Sequence, residues 1–185
     1  MTRGKSILVL LFVFFIACKS SGGQRISSTT QTQSNQGLQF LTALAQDLQK
    51  SFSGVTDCAA FQQTLNDLPG TENCSVGGSQ TTALSQSACT DTPTFNGQAQ
   101  LNITFQNCQD PGQAIGGAVQ MTFDWDGSVL TNQTQSSNFT FNGLFYSIQD
   151  LNIEVDSMNV ATCSGVLLIQ GSLCGVNSDC NFCAL

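Results

Sequence analysis

The sequence predicts an α+β domain in which two short N-terminal helices pack on an antiparallel β-meander of about six to eight disulfide-stapled strands. Three observations carry this. Apolar residues recur at spacings of three and four between residues 37 and 68. After residue 70 they alternate with polar residues, and Asn-Gly or Asp-Gly pairs punctuate the runs. The chain also carries nine cysteines, an odd number that an exported protein has to explain.

In chain order, the first element is an apolar run from Ile7 to Ile16, with Arg3 and Lys5 before it and Ala17 and Cys18 after it. A basic flank, a short apolar middle and a small residue at the cut make a secretory leader over residues 1–17. At ~1.5 Å per residue the run spans only about half of a ~30 Å hydrocarbon core. Phe15-Ile16-Ala17-Cys18 resembles the lipobox of bacterial lipoprotein precursors, with Phe15 in place of the commoner Leu. The resemblance covers about the first twenty-two residues. It implies cleavage between Ala17 and Cys18, a diacylglyceryl group on the Cys18 sulfur, an acylated amine, and anchoring to a membrane through these acyl chains. One chain holds marginally, whereas two or three hold stably. It also implies the bacterial cell envelope, and the outer membrane in a Gram-negative organism, because Lys19 stands where the inner-membrane retention signal has Asp. A plain signal peptide cut after Ala17 is the alternative.

Setting Cys18 aside leaves Cys58, Cys74, Cys89, Cys108, Cys163, Cys174, Cys180 and Cys183. Eight cysteines in an oxidising compartment form four disulfides, with 105 possible connectivities. Cys89 with Cys108, flanking one strand, is the first pairing expected.

Residues 18–36 are the candidate lipidated cysteine followed by a Ser, Thr, Gln and Gly tract with almost no apolar content, read as a flexible tether. The folded domain is expected over 37–185. Leu38, Leu41, Ala45, Leu48 and Phe52 predict a first helix, with Ser34 or Asn35 as cap, Lys50 in the last turn and Gly54 as stop. Asp57 as cap, Phe61, Leu65 and Leu68 as stripe, and Pro69-Gly70 as stop predict a second.

Strands follow. Ala99, Leu101, Ile103 and Phe105 alternate with Gln100, Asn102 and Thr104; Val119, Met121, Phe123 and Trp125 alternate with Gln120, Thr122 and Asp124. Leu151, Ile153 and Val155 repeat the pattern, and Phe139 with Phe141, Leu144–Ile148 and Val166–Gln170 add further candidates. Asn96-Gly97, Asp126-Gly127 and Asn142-Gly143 are the expected turns or bulges. Phe95-Asn96-Gly97 with Leu101-Asn102-Ile103 is echoed by Phe141-Asn142-Gly143 with Leu151-Asn152-Ile153 at offsets of 46 and 50 residues, read as shared strand vocabulary rather than a duplication.

Charge excludes whole function classes. Only 9% of residues are charged, against about 25% in typical domains. Lys50 is the last basic residue; the 135 residues after it hold 11 of the 12 acids and no Lys or Arg. Nothing there can neutralise phosphates, so no nucleic-acid partner is expected. Anionic lipid has no polybasic patch to meet, and sheet edges have no guarding lysines.

Candidate chemistry is sparse, and no cofactor is expected. The chain has no histidine, which removes His-based triads and His metal sites. Cys180-Asn-Phe-Cys183 has CxxC spacing but neither a βαβ context nor a second pair, so it reads as part of a disulfide cluster. Asp124 and Asp126, beside Gly127, resemble a fragment of a calcium loop without its remaining ligands and read as a hairpin turn. Asp150, Glu154 and Asp156 could supply a carboxylate pair for glycoside hydrolysis, though they read as a solvated strand face.

The function expected is a non-catalytic, envelope-anchored structural or binding module whose protein or glycan partner is not identified by the sequence. A carboxylate-dependent carbohydrate-active hydrolase is one alternative. A eukaryotic secreted N-glycoprotein, suggested by sequons at Asn73, Asn102, Asn132 and Asn138, is another. Uncharged Gln and Thr faces also permit adhesion by strand addition.

Overall fold

The computed structural model describes residues 28–181 apart from Pro69, with side chains from residue 32. Two helices, α1 (Ser28–Phe52) and α2 (Cys58–Asp67), precede eight strands. These are β1 (Thr71–Asn73), β2 (Gly77–Thr90), β3 (Asn96–Asp110), β4 (Gln113–Trp125), β5 (Leu130–Phe141), β6 (Leu144–Val155), β7 (Ala161–Ile169) and β8 (Ser172–Val176). All eight join one antiparallel sheet in chain order, so the α+β class with an antiparallel, disulfide-bonded meander holds. Ala17, Cys18 and Cys183 lie outside the described residues.

The pleat divides the sheet into a dry face and a wet one. Ala99, Leu101, Ile103 and Phe105 of β3 are buried, as are Val119, Met121, Phe123 and Trp125 of β4 and Leu151, Ile153 and Val155 of β6. Onto this face come the rings of the helices. Phe40 of α1 stands 5.6 Å from Phe105 and from Phe141, and Phe52 stands 5.3 Å from Phe123 and 5.2 Å from Phe61 of α2. Each such side chain contributes about 1.5–3 kcal/mol of burial. Gln, Asn, Thr and Asp occupy the opposite face. That arrangement inverts the apolar outer band of a lipid-facing barrel, and no described helix is long and apolar enough to cross a membrane.

The first helix corrects two expectations: it is not short, and it starts at Ser28 rather than near residue 37, so residues 28–36 belong to it and not to a tether. Ser34 and Asn35 are interior residues, not caps. Docking overrides the weak helix propensity of this polar stretch. The Tyr146 hydroxyl shares its one proton between the carbonyls of Gln33 (3.2 Å) and Ser34 (3.1 Å), and Ser34 is 3% exposed. Burial pushes the Tyr146 phenol above its usual range, so the group remains a donor. Gly37 is glycine because a Cβ there would overlap the Tyr146 ring and hydroxyl. Lys50 does lie in the last turn.

The second helix begins as expected, with the Asp57 carboxylate accepting from the Ala60 N–H at 2.8 Å. Between the helices, the buried Trp125 indole donates to the Val55 carbonyl at 2.8 Å and so ties the connection to β4.

Of the expected turns, Asn142-Gly143 makes a two-residue hairpin with φ of 48° and 78°, the signs a type I′ turn requires. Asn96-Gly97 is not a turn; both residues lie in β3, and Gly97 leaves room for the Phe61 ring. The Phe-Asn-Gly echo therefore marks a strand entry in one place and a hairpin tip in the other. Leu144–Ile148 and Leu151–Val155 merge into one strand through an irregularity beside residue 149. The sequence reading missed β1, β2 and β8. Residues 83–88 of β2 are exposed on both faces, so no alternation marks them.

Three disulfides join Cys58 to Cys89, Cys74 to Cys108 and Cys163 to Cys180. The expected Cys89–Cys108 pair is wrong for a register reason. Cys89 faces Gly97, and Cys108 lies 11 residues (108 − 97) further along β3, about 36 Å away at ~3.3 Å per residue. Cys174 is buried in β8.

Replacing Trp125 with Phe preserves most of the ring but removes the donor to the Val55 carbonyl. Urea unfolding should show a stability loss of about 1–3 kcal/mol with an unchanged m-value.

Candidate functional site

The outer face is where this fold departs from regular pairing. Between β4 and β5 the ladder breaks: Gly116 pairs with Thr140 and Gln120 with Gln135, while the residues between them have no strand partners across that gap. Side chains replace the missing backbone bonds. The Ala118 N–H donates to Asn138 Oδ1 at 3.0 Å, and the Ser136 hydroxyl donates to the Ala118 carbonyl while accepting from the Asn138 and Phe139 N–H groups. One donor and two acceptor positions exhaust that hydroxyl. Gly117, at φ 83°, passes so close to the Asn138 carbonyl that no Cβ fits.

Further irregularities at Ser136 in the β5–β6 pair and between Ile148 and Asp150 in the β6–β7 pair widen the break. The result is an open depression of about 770 Å³ across β3 to β6, lined on its polar side by amides and hydroxyls such as Asn102, Gln120, Gln135, Ser136, Ser147 and Gln149. Gln120 Nε2 donates to Asn102 Oδ1 (3.2 Å), and Asn102 Nδ2 to Ser85 Oγ (2.6 Å), which fixes that wall. The Gln135, Ser147 and Gln149 side chains make no hydrogen bond among the described residues. No acid or base lines the depression. It can hold a ligand by neutral hydrogen bonds, but its walls supply no proton-transfer group.

Five of the 12 acids are employed elsewhere, as backbone caps. Asp57 takes the Ala60 N–H, Asp91 the Cys58 N–H, Asp110 the Ser75 N–H and Asp156 the N–H groups of Met158 and Val160. Asp126 closes the β4–β5 loop by accepting from Ser128 and Val129. Partial burial pushes its pKa up, but these bonds outweigh that and hold it below the ordinary carboxylate range. Asp124, the other half of the expected calcium fragment, accepts from Gln98. Of the expected hydrolytic carboxylates, Asp150 accepts from Gln133 and Asn152, Glu154 is exposed on the strand face, and Asp156 serves the β6–β7 loop. Cys58, Cys89 and Asp91 cluster closely enough to suggest a metal site, yet both sulfurs are spent in a disulfide and Asp91 caps α2.

Among the sequons, Asn132 is fully buried and donates to Thr134, so this fold has no room for a glycan there. Asn102 and Asn138 both belong to the depression. The sequence reading missed this site as a whole. Gly116-Gly117 inside an alternating run and the Ser136-Ser137 pair were the available signals, since glycine within a strand marks a bulge.

A second feature is the outer edge of β2. It pairs with β3 along its length, but β1 covers only Ser79–Thr81 on the other side. From Ala83 to Thr90 no further backbone bond is made among the described residues. This stretch is uncharged and includes Leu84, 42% exposed.

Comparison with protein-family models, curated proteins and solved structures gave no match to this chain.

Proposed function

We propose that this protein is a lipid-anchored bacterial envelope lipoprotein whose folded part is a non-catalytic binding or structural module. The observation that carries the reading is the set of three disulfides, which fits the oxidising side of a membrane. That compartment is the one to which the Ile7–Ile16 leader and Cys18 would deliver the chain. Parity agrees, because the unpaired cysteine of an odd set is the one the lipobox would consume. The non-catalytic half rests on the acids: five of them cap backbone N–H groups, and none lines the outer-face depression. For the hydrolase alternative, Asp150, Glu154 and Asp156 stand outside the depression; for the N-glycoprotein alternative, Asn132 is buried while Asn73, Asn102 and Asn138 are exposed.

A second reading draws on the open edge of β2. Two copies held on one membrane gain effective concentration, and an uncharged edge lets them add strand to strand although each chain from Cys18 onward carries 12 acids against 3 basic residues, a net charge of −9.

Mass spectrometry of the protein extracted from membranes should show a chain beginning at Cys18 and carrying two or three acyl groups; an intact leader or an unmodified Cys18 would contradict the anchor. For the edge, chemical cross-linking in membranes should trap a dimer in the native protein, and Ser87→Pro, at a position whose N–H points away from β3, should abolish it while leaving the monomer folded. A monomer under both conditions would end that reading.

A further inference from the structure

We infer that the outer-face depression is a binding site for a neutral oligosaccharide chain, which rests on the non-catalytic reading and names its ligand class. The polar groups that line it are uncharged. Gln120, Gln135 and Gln149 each carry an amide with both donor and acceptor capacity, and the Ser147 hydroxyl adds another of each. A charged ligand would leave an ion unpaired there, whereas a polyhydroxylated one answers every such group with a donor or an acceptor. The size fits, since ligand sites run to about 300–1,000 Å³.

An apolar surface completes the match. Leu144 and Tyr146 point into the core, so Phe145 points outward, and it remains 42% exposed beside Thr140. The next residue on that face is Ser147 in the depression, about 6–7 Å along the strand. Phe145 therefore stands at the rim with its ring available. A sugar ring has hydroxyls at its periphery and polarised C–H bonds on its faces, and the negative face of an aromatic ring attracts the latter. An extended peptide is the poorer fit. It binds through free strand edges, and the depression lies in mid-sheet between β3 and β6, where the nearest free backbone groups are already taken by Ser136 and Asn138.

The site is also built rather than incidental. Asn138 holds the break in the ladder open through the Ala118 N–H, and the Gln120–Asn102–Ser85 chain fixes one wall. Side chains already held in place lose less freedom when a ligand arrives.

Isothermal titration of the mature lipidated protein in detergent with chitohexaose, cellohexaose and maltohexaose tests the site. At least one should bind, and dextran sulfate should not. Gln135→Ala and Phe145→Ala should each weaken binding about tenfold, while Thr162→Ala, on the exposed face of β7, should leave it unchanged. Circular dichroism confirms that each variant is folded. Absence of binding by all three saccharides, binding of dextran sulfate in preference to them, or unchanged affinity in both site variants would overturn the inference. Shortened oligosaccharides after incubation would instead overturn the non-catalytic reading while leaving the site in place.

Discussion

The arrangement depends on one division, made along most strands: apolar side chains turn toward the helices and amides or hydroxyls turn away, with Asn132 and Thr134 of β5 as buried exceptions. The first set gives Phe40 and Phe52 of α1 a surface to close against. The second gives a broad wet face with hardly any charge. Because side chains alternate with a period of two, a one-residue slip would exchange the faces of a whole strand. Register is therefore held tightly wherever the core is apolar. Where β4 and β5 do lose register, at Gly117 and Ser136, the chain replaces backbone bonds with side-chain bonds and keeps both faces intact.

Charge poverty shapes how stability is supplied. The described residues contain one ion pair, Lys50 with Asp47, and it is exposed; such a pair is worth about 0.3–0.5 kcal/mol. The three disulfides close loops with sequence separations of 31, 34 and 17, for which the chain-entropy model gives about 3–4 kcal/mol each. Against a usual domain stability of about 5–15 kcal/mol, the covalent links decide the balance and the ion pair does not. Five acids, with no cation to meet, take backbone N–H groups at a helix start and in loops instead.

Much of this was legible in the sequence wherever a residue's environment is one-sided. The strands around Leu101, Met121 and Ile153 alternate because one face of each is buried, and the turn at Asn142-Gly143 announces itself because its φ values favour those two residues. Three things were hidden. Strand β2 carries no period because residues 83–88 have water on both sides. The start of α1 looks like a linker because a group that docks it, the Tyr146 hydroxyl on the Gln33 and Ser34 carbonyls, lies more than a hundred residues away in the chain. The disulfide partners follow from register, which places Cys89 and Cys108 at opposite ends of one hairpin. The outer-face depression, likewise, exists only where irregularities on adjacent strands coincide.

The central claim is that covalent links stand in for the ion pairs of which the described residues have only one. Equilibrium urea unfolding of the mature protein, with and without reductant and at low and high salt, tests it most directly. The expected result is a midpoint that falls steeply on reduction, with loss of the fold at 37 °C, and that barely responds to salt. A reduced protein with the midpoint of the oxidised one, or a midpoint governed by ionic strength, would contradict the account.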